Sequence, residues 1–207
     1  MSVETPHGRR ERTKERNRSA ILDAGRDAFA ELGYGAASVR DIIRRTGLAS
    51  GTFYNYFPDK EAVFRDLLDT SARELRARVR TARRDASSPD GFVGDAYRAF
   101  FTFIAEDPTM FTLLRDNSGV IRALLGDPIL GAGVDELLED LAAAIGSGDL
   151  PAFDAEYMAA AMAGVGFEVG TRMVERRPVD VEGATRFASA LFLGGIDRLA
   201  GRERADP

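Results

Sequence analysis

With 207 residues, 44% hydrophobic and 29% charged, the chain can bury one or two cores, and no apolar run reaches the ~18 residues a membrane helix needs. Cysteine is absent and the one histidine, His7, sits in the N-terminal tail, which excludes disulfides, thiolate metal sites, histidine-based triads and His/Cys metal centres. The net charge of −5 divides into +3 over residues 1–60 (11 basic, 8 acidic) and −8 over residues 61–207 (17 basic, 25 acidic), a basic end on an acidic protein.

The basic charge is densest at the start. Residues 9–18 hold six basic and two acidic side chains, either a phosphate-binding footprint or a solvated tail. No apolar signal core follows, so the chain is expected in the cytoplasm. From about residue 13 to 32, Ile21, Gly25, Ala28, Phe29 and Leu32 recur at helical spacing. Gly33-Tyr34-Gly35 then stops the helix, because glycine accepts the left-handed cap. Ser38 caps a second, short helix with Val39, Ile42 and Ile43 turned inward, ended by Thr46-Gly47. A third opens at Ala49 or Ser50 and ends near Phe57-Pro58. Asp59 caps a long fourth helix with Phe64, Leu68, Ala72, Leu75, Val79 and Ala82 along one stripe.

Ser87-Ser88-Pro89-Asp90-Gly91 is the clearest break. The helix after it is apolar on two faces, Phe92, Ala96, Phe100 and Phe103 on one and Val93, Tyr97, Phe101 and Ile104 on the other, so it is expected to be buried. Asp107-Pro108 ends it. A shorter segment carries Met110, Phe111, Leu113 and Leu114, then Val120, Ile121, Leu124 and Leu125. Val134, Leu137, Leu138, Leu141 and Ile145 mark another helix, closed by Gly146-Ser147-Gly148. Two final helices span about 153–176 and 181–200, with Arg177-Pro178 between them. The expected class is all-α, with about nine helices and no strand.

Helices two and three carry the functional signal. They are short, joined by a tight turn through Thr46-Gly47-Leu48, and preceded by a longer amphipathic helix. This is the helix-turn-helix arrangement, whose second member enters the major groove. Phe53 and Phe57, four apart, anchor that member, while Ser50, Thr52, Tyr54, Asn55 and Tyr56 turn polar groups outward and Gly51 leaves room for DNA. Short hydroxyls and an amide suit base edges or phosphates, and tyrosine hydroxyls commonly reach phosphate. Tyr54 has a second reading, as a ring bracing the helix pair.

The run Ser38-Val39-Arg40-Asp41-Ile42, then Gly47-Leu48-Ala49-Ser50-Gly51-Thr52-Phe53-Tyr54-Asn55-Tyr56-Phe57-Pro58-Asp59-Lys60-Glu61, resembles the DNA-binding domain of the TetR (tetracycline repressor-like) family. Upstream, Ile21-Leu22-Asp23-Ala24 and Phe29-Ala30-Glu31-Leu32-Gly33-Tyr34 resemble that family's first helix. The motif covers roughly residues 14–74; Ile43 departs from it, where relatives usually carry alanine. The resemblance implies a DNA-binding domain over 14–74 and an effector-binding and dimerising domain over 75–207. It implies that Ser38 and Arg40 touch backbone and sometimes a base, and that Ser50, Gly51 and Thr52 read bases. Tyr54, Asn55, Tyr56 and Lys60 match phosphate-contacting positions, and residues 9–18 resemble an N-terminal extension laid along the backbone or minor groove.

On the same footing the function expected is a homodimeric repressor on a palindromic operator in double-stranded DNA, released by a small, largely apolar effector. A constitutive DNA-binding or architectural protein without effector is the alternative, and an all-helical enzyme the third reading; no cofactor, metal or membrane is expected. Tyr97, Phe100, Phe103 and Phe111 line an effector cavity or simply pack the core. Glu168 contacts a ligand charge or, as we favour, pairs with Arg172 one turn on. The glycines at 164, 166 and 170 lack the preceding strand of a dinucleotide loop. They read better as a close-packing seam. With Gly194-Gly195, Met162, Val169, Phe187 and Leu191, this seam is expected to bring the last two helices of two chains together.

Overall fold

The computed structural model describes residues 6–117, 119 and 128–203, with side chains over 10–117, 119 and 132–196. Among the described residues there are nine α-helices and no strand. They are α1 (Pro6–Leu32), α2 (Val39–Thr46), α3 (Ser50–Tyr54), α4 (Lys60–Asp85) and α5 (Pro89–Glu106), followed by α6 (Pro108–Asp116), α7 (Pro128–Ser147), α8 (Ala155–Glu175) and α9 (Val181–Glu203). The apolar positions Val120, Ile121, Leu124 and Leu125 lie outside the described residues.

Local chemistry sets most of these ends. Asp59, Ser88, Asp107, Asp154 and Asp180 accept from the amides of Ala62 (2.7 Å), Gly91 (3.1 Å), Met110 (3.0 Å), Tyr157 (2.9 Å) and Gly183 (2.8 Å). Each cap satisfies one otherwise orphaned donor at a helix start. Three boundaries differ from the expectation. α1 begins at Pro6 and not near residue 13, because the Arg, Glu and Lys of the basic run have straight chains that lose little freedom in a helix. α3 stops at Tyr54, with the Tyr56 and Phe57 amides bonding back to the Phe53 carbonyl. α5 begins at Pro89, since Ser88 caps and proline suits the first turn.

The chain clusters into two compact units, residues 6–71 with 113–117 and 119, and residues 72–112 with 128–203. In the first, Ile21, Ala28, Phe29, Ile42, Phe53, Val63, Phe64 and Leu68 are buried. A β-carbon on Gly25 would lie 2.5 Å from Val63 Cγ1, so α1 and α4 approach at a distance only glycine permits. Arg45 bonds Glu31 at 2.5 Å and ties the end of α2 to α1.

The second unit is built on α5, with Tyr97, Phe101 and Ile104 in a core shared with α7, α8 and α9. Gly166 and Gly170 of α8 face α5: β-carbons there would meet Tyr97 and Phe100 at 3.4 and 3.5 Å, and Ile104 at 2.9 Å. The seam is real, but α5 of the same chain occupies it, and Met162 is buried with it. Gly194 and Gly195 meet nothing within 4 Å. On α4, Arg76 and Arg80 lie 4.0 and 3.7 Å from Glu136 of α7, and the buried Arg83 bonds Asp140 at 2.6 Å.

Candidate nucleic-acid interface

Two buried rings set the geometry of α3. Phe53 and Phe57 are packed in the first unit's core, and Phe53 is fully buried. With that face fixed, Ser50, Gly51, Tyr54 and Asn55 are exposed, while Thr52 and Tyr56 are half-buried. A β-carbon on Gly51 would meet nothing within 4 Å, so the surface there is open. Tyr54 is 58% exposed and touches Phe53 only edge-on, at 5.4 Å between centroids.

The turn before α3 is self-contained. Gly47 closes α2 in the left-handed region at φ 66°, and the Thr46 hydroxyl donates to the Ile43 carbonyl (2.9 Å) while accepting from the Leu48 amide (3.1 Å). At its other end α2 opens on a capping box. The Ser38 hydroxyl accepts from the Asp41 amide at 3.3 Å and donates to Oδ2 of Asp41 at 2.5 Å, and that same oxygen takes the Ser38 amide at 3.0 Å. These bonds hold the Asp41 carboxyl below its ordinary range.

Arg40 is exposed, and so is Arg44, one turn further along. Arg44 was not among the sequence candidates, although its spacing of four from Arg40 was the available signal. The basic run is helical as far as it is described, with Arg10, Arg12, Lys14 and Arg16 exposed. Arg18 is used within the domain: it bonds Asp66 at 2.6 Å and lies 5.7 Å from the Phe57 ring centroid.

Lys60, expected at a phosphate, is otherwise engaged. Its ammonium donates to the carbonyls of Tyr34 (2.8 Å), Gly35 (3.2 Å) and Ala37 (2.9 Å) and sits 4.7 Å from the Tyr34 ring centroid. A lysine ammonium has three donors, and all three are taken. Tyr34 packs on Phe29 and Phe64, and its hydroxyl donates to Glu61 at 3.3 Å. Burial, then the charge of Glu61, pushes the phenol up to about 12.

The effector candidates do not come together as one polar-tipped set. Tyr97 is buried, stacks on Phe101 and Phe192, and donates to the Met162 carbonyl at 2.9 Å. Burial raises its phenol well above the ordinary range. Phe100 lies against Gly166 and Gly170, Phe111 against Phe167 at 5.4 Å, and Phe103 beneath the Arg78 guanidinium at 5.0 Å. Glu168 is exposed on the outer face of α8, in line with Tyr157, Ala160, Ala161 and Gly164, so it does not point into that core. The favoured pair is also absent: Arg172 reaches forward to Glu175 at 3.0 Å.

That outer face is apolar where it is not charged. Tyr157 is 77% exposed on α8, and Phe187 and Leu191 are 62% and 51% exposed on α9. Phe187, Ala190, Leu191 and Gly194 are all exposed and share a helical stripe. No group of three or more metal-ligating side chains, and no helix long and apolar enough to cross a membrane, occurs among the described residues.

Residues 21–67 match the family model of bacterial regulatory proteins, tetR family. An HTH-type transcriptional regulator of Haemophilus influenzae is 30% identical over 112 residues, 53% of this chain; the match spans about half of that relative's length, 55%. Among solved structures, the fatty acid degradation regulator FadR of Bacillus halodurans superposes with a TM-score of 0.76 at 23% identity, over 94% of this chain and 98% of that one. FadR of Bacillus subtilis in complex with stearoyl-CoA gives 0.75 at 23%, over 86% and 98%. A TetR-like transcriptional regulator of Rhodococcus gives 0.69 at 21%, over 92% and 97%. At these identities the structures establish a shared fold.

Proposed function

Because residues 21–67 match the family model of bacterial regulatory proteins, tetR family, we propose that this protein is a homodimeric, ligand-responsive transcriptional regulator of the cytoplasm, a repressor released from a palindromic operator by a small, largely apolar effector. The observation that carries the DNA role is the surface of α3 and its C-cap, with Ser50, Gly51, Tyr54 and Asn55 exposed and Thr52 half-buried around the buried Phe53, and with no basic residue among them. Such a face suits base edges, while the flanking Ser38, Arg40, Arg44 and Tyr56 suit the backbone. Selecting duplexes from a random pool tests this. A palindromic consensus with half-sites about one helical turn apart, roughly 34–36 Å, is the expected result. Recovery of no consensus sinks it.

The dimer reading rests on the exposed stripe of Phe187, Ala190, Leu191 and Gly194 on α9 and on the exposed Tyr157 and Gly164 of α8. Surfaces of this kind on a water-soluble chain mark partners, and a second copy offers the same stripe about a two-fold axis. Replacing Phe187 and Leu191 together by aspartate is expected to leave a folded monomer in sedimentation. A wild-type monomer at micromolar concentration removes the proposal.

The effector reading draws on the aromatic second unit and on the Bacillus subtilis relative bound to stearoyl-CoA. An acyl-CoA is therefore the first ligand to try, its acyl chain supplying the apolar part and its coenzyme A a charged head, with the free fatty acid as the smaller alternative. Coupling of about 1–3 kcal/mol is enough to change occupancy usefully, and DNA must weaken the effector by the same factor. A constitutive binder is the second reading, favoured by the close ring packing of Tyr97, Phe100 and Phe111. Thermal shift with acyl-CoAs, then DNA titration of any hit, separates the two.

A further inference from the structure

We propose that Lys60 is a positioning residue: its ammonium clasps the turn between α1 and α2, and so sets where Ser38 and Arg40 stand for DNA. This rests on the DNA-binding reading above. Three carbonyls, those of Tyr34, Gly35 and Ala37, converge on Nζ within 2.8–3.2 Å. They converge because Gly33 leaves α1 in the left-handed region, at φ 78°, which curls the chain back, and the Ala37 amide closes the curl on the Gly33 carbonyl at 3.0 Å.

A compact ammonium can fill such a cup; the planar fork of arginine cannot. The floor of the cup is the Tyr34 ring, held by Phe64 at 4.4 Å and by the Glu61 carboxylate. Ala37 directly precedes Ser38, the N-cap of α2, and Lys60 is the first residue of α4. One side chain therefore joins the start of α4 to the start of α2. The sequence pattern alone would place this charge on a phosphate, but a phosphate could take Lys60 only by emptying the cup.

The two roles make opposite demands on arginine. If Lys60 is a clasp, Lys60→Arg and Lys60→Met both weaken binding to a duplex selected from a random pool by about ten- to a hundredfold, the range for lost charge-assisted hydrogen bonds. Both leave the slope of affinity against salt within about half a unit of wild type. Their losses are less than additive with Ser38→Ala, since both changes act on the same helix start. In the free protein, both variants speed hydrogen exchange at the Ala37 amide, a readout that needs no DNA.

The clasp is overturned if Lys60→Arg binds like wild type while Lys60→Met loses about one unit of salt slope, which is the signature of a phosphate contact. Unchanged Ala37 exchange in both variants overturns it equally. Failure of the DNA-binding reading looks different: wild type itself then selects no duplex. Thermal melts of both variants separate a local loosening from loss of the fold, and melting below the assay temperature in both would reduce Lys60 to a fold residue.

Discussion

The two units use aromatic side chains in opposite ways. In the first, Phe53 and Phe57 are pins: one within the five-residue α3 and one just past its end, they fasten it so that its other side faces out. In the second, Tyr97, Phe101 and Phe192 are the core itself, and the rings left exposed, Tyr157 and Phe187, stand on the outer faces of α8 and α9. A short helix cannot hold its own shape, so its aromatics declare where it is fastened. A long apolar helix such as α5 has more rings than a single role requires, and no one ring declares which role it has.

The largest effect should come from pulling a pin. Phe53→Ala is expected to cost about 3–5 kcal/mol and to abolish DNA binding while the second unit keeps its helices and its association state. Circular dichroism melts with sedimentation check this. Loss of both units together would mean that they do not differ as described.

Next comes a matched pair of glycines. Gly25→Ala drives a methyl onto the stiff, β-branched Val63 and should cost about 1–3 kcal/mol. Gly170→Ala meets only the far end of Ile104, which can swing aside, and should cost less. Val63→Ala should rescue the first in a double-mutant cycle. Equal costs, or no rescue, would show that the close approach of α1 and α4 is unimportant.

A base-reading contact is of similar size but has a different signature. Thr52→Ala should lose about 1–3 kcal/mol on a selected duplex and less on a scrambled one. Arg44→Ala should weaken both duplexes alike and flatten the salt dependence by about one unit. Interchanged behaviour would reverse the division between α2 and α3.

The smallest expected effect is at the capping box. The Asp41 carboxyl titrates lower in the folded chain than in the unfolded one, because Ser38 bonds to its charged form. Its contribution is therefore complete above the ordinary aspartate range, near ~3.9, and fades as pH falls through the lower folded value. Asp41→Asn should leave neutral stability slightly reduced and make the acid unfolding edge shallower. An unchanged edge would mean the box is not formed in solution.

Much of the first unit was legible because its signals are local. A capping serine at the head of α2, a glycine after each of α1 and α2 and two phenylalanines four apart each constrain their own neighbourhood. The Asp41 that completes the box with Ser38 was not picked out. What else escaped depended on partners distant in sequence. The glycine seam of α8 announced a close neighbour but not that α5 of the same chain would fill it. Lys60 announced a positive charge, but not that three carbonyls 23 to 26 residues earlier would turn toward it. The start of α1 was missed for a simpler reason: residues 6–20 carry no large apolar side chain from which a period can be read, and residue 20 itself is alanine.

That helical start limits what residues 6–20 can discriminate. An α-helix with its side chains is roughly 10–12 Å across, whereas the minor groove is about 6 Å wide. A stretch that is helical from Pro6 onward cannot thread into that slot as an extended arm does. It would have to unwind first, giving up its hydrogen bonds. On that helix Arg10 and Lys14, one turn apart, share one side and Arg12 and Arg16 the other, so a row of phosphates meets one pair at a time. Bases flanking a binding site should then be freely exchangeable, A·T for G·C, at little cost in affinity. Lengthening the duplex there should still tighten binding, more at low salt than at high.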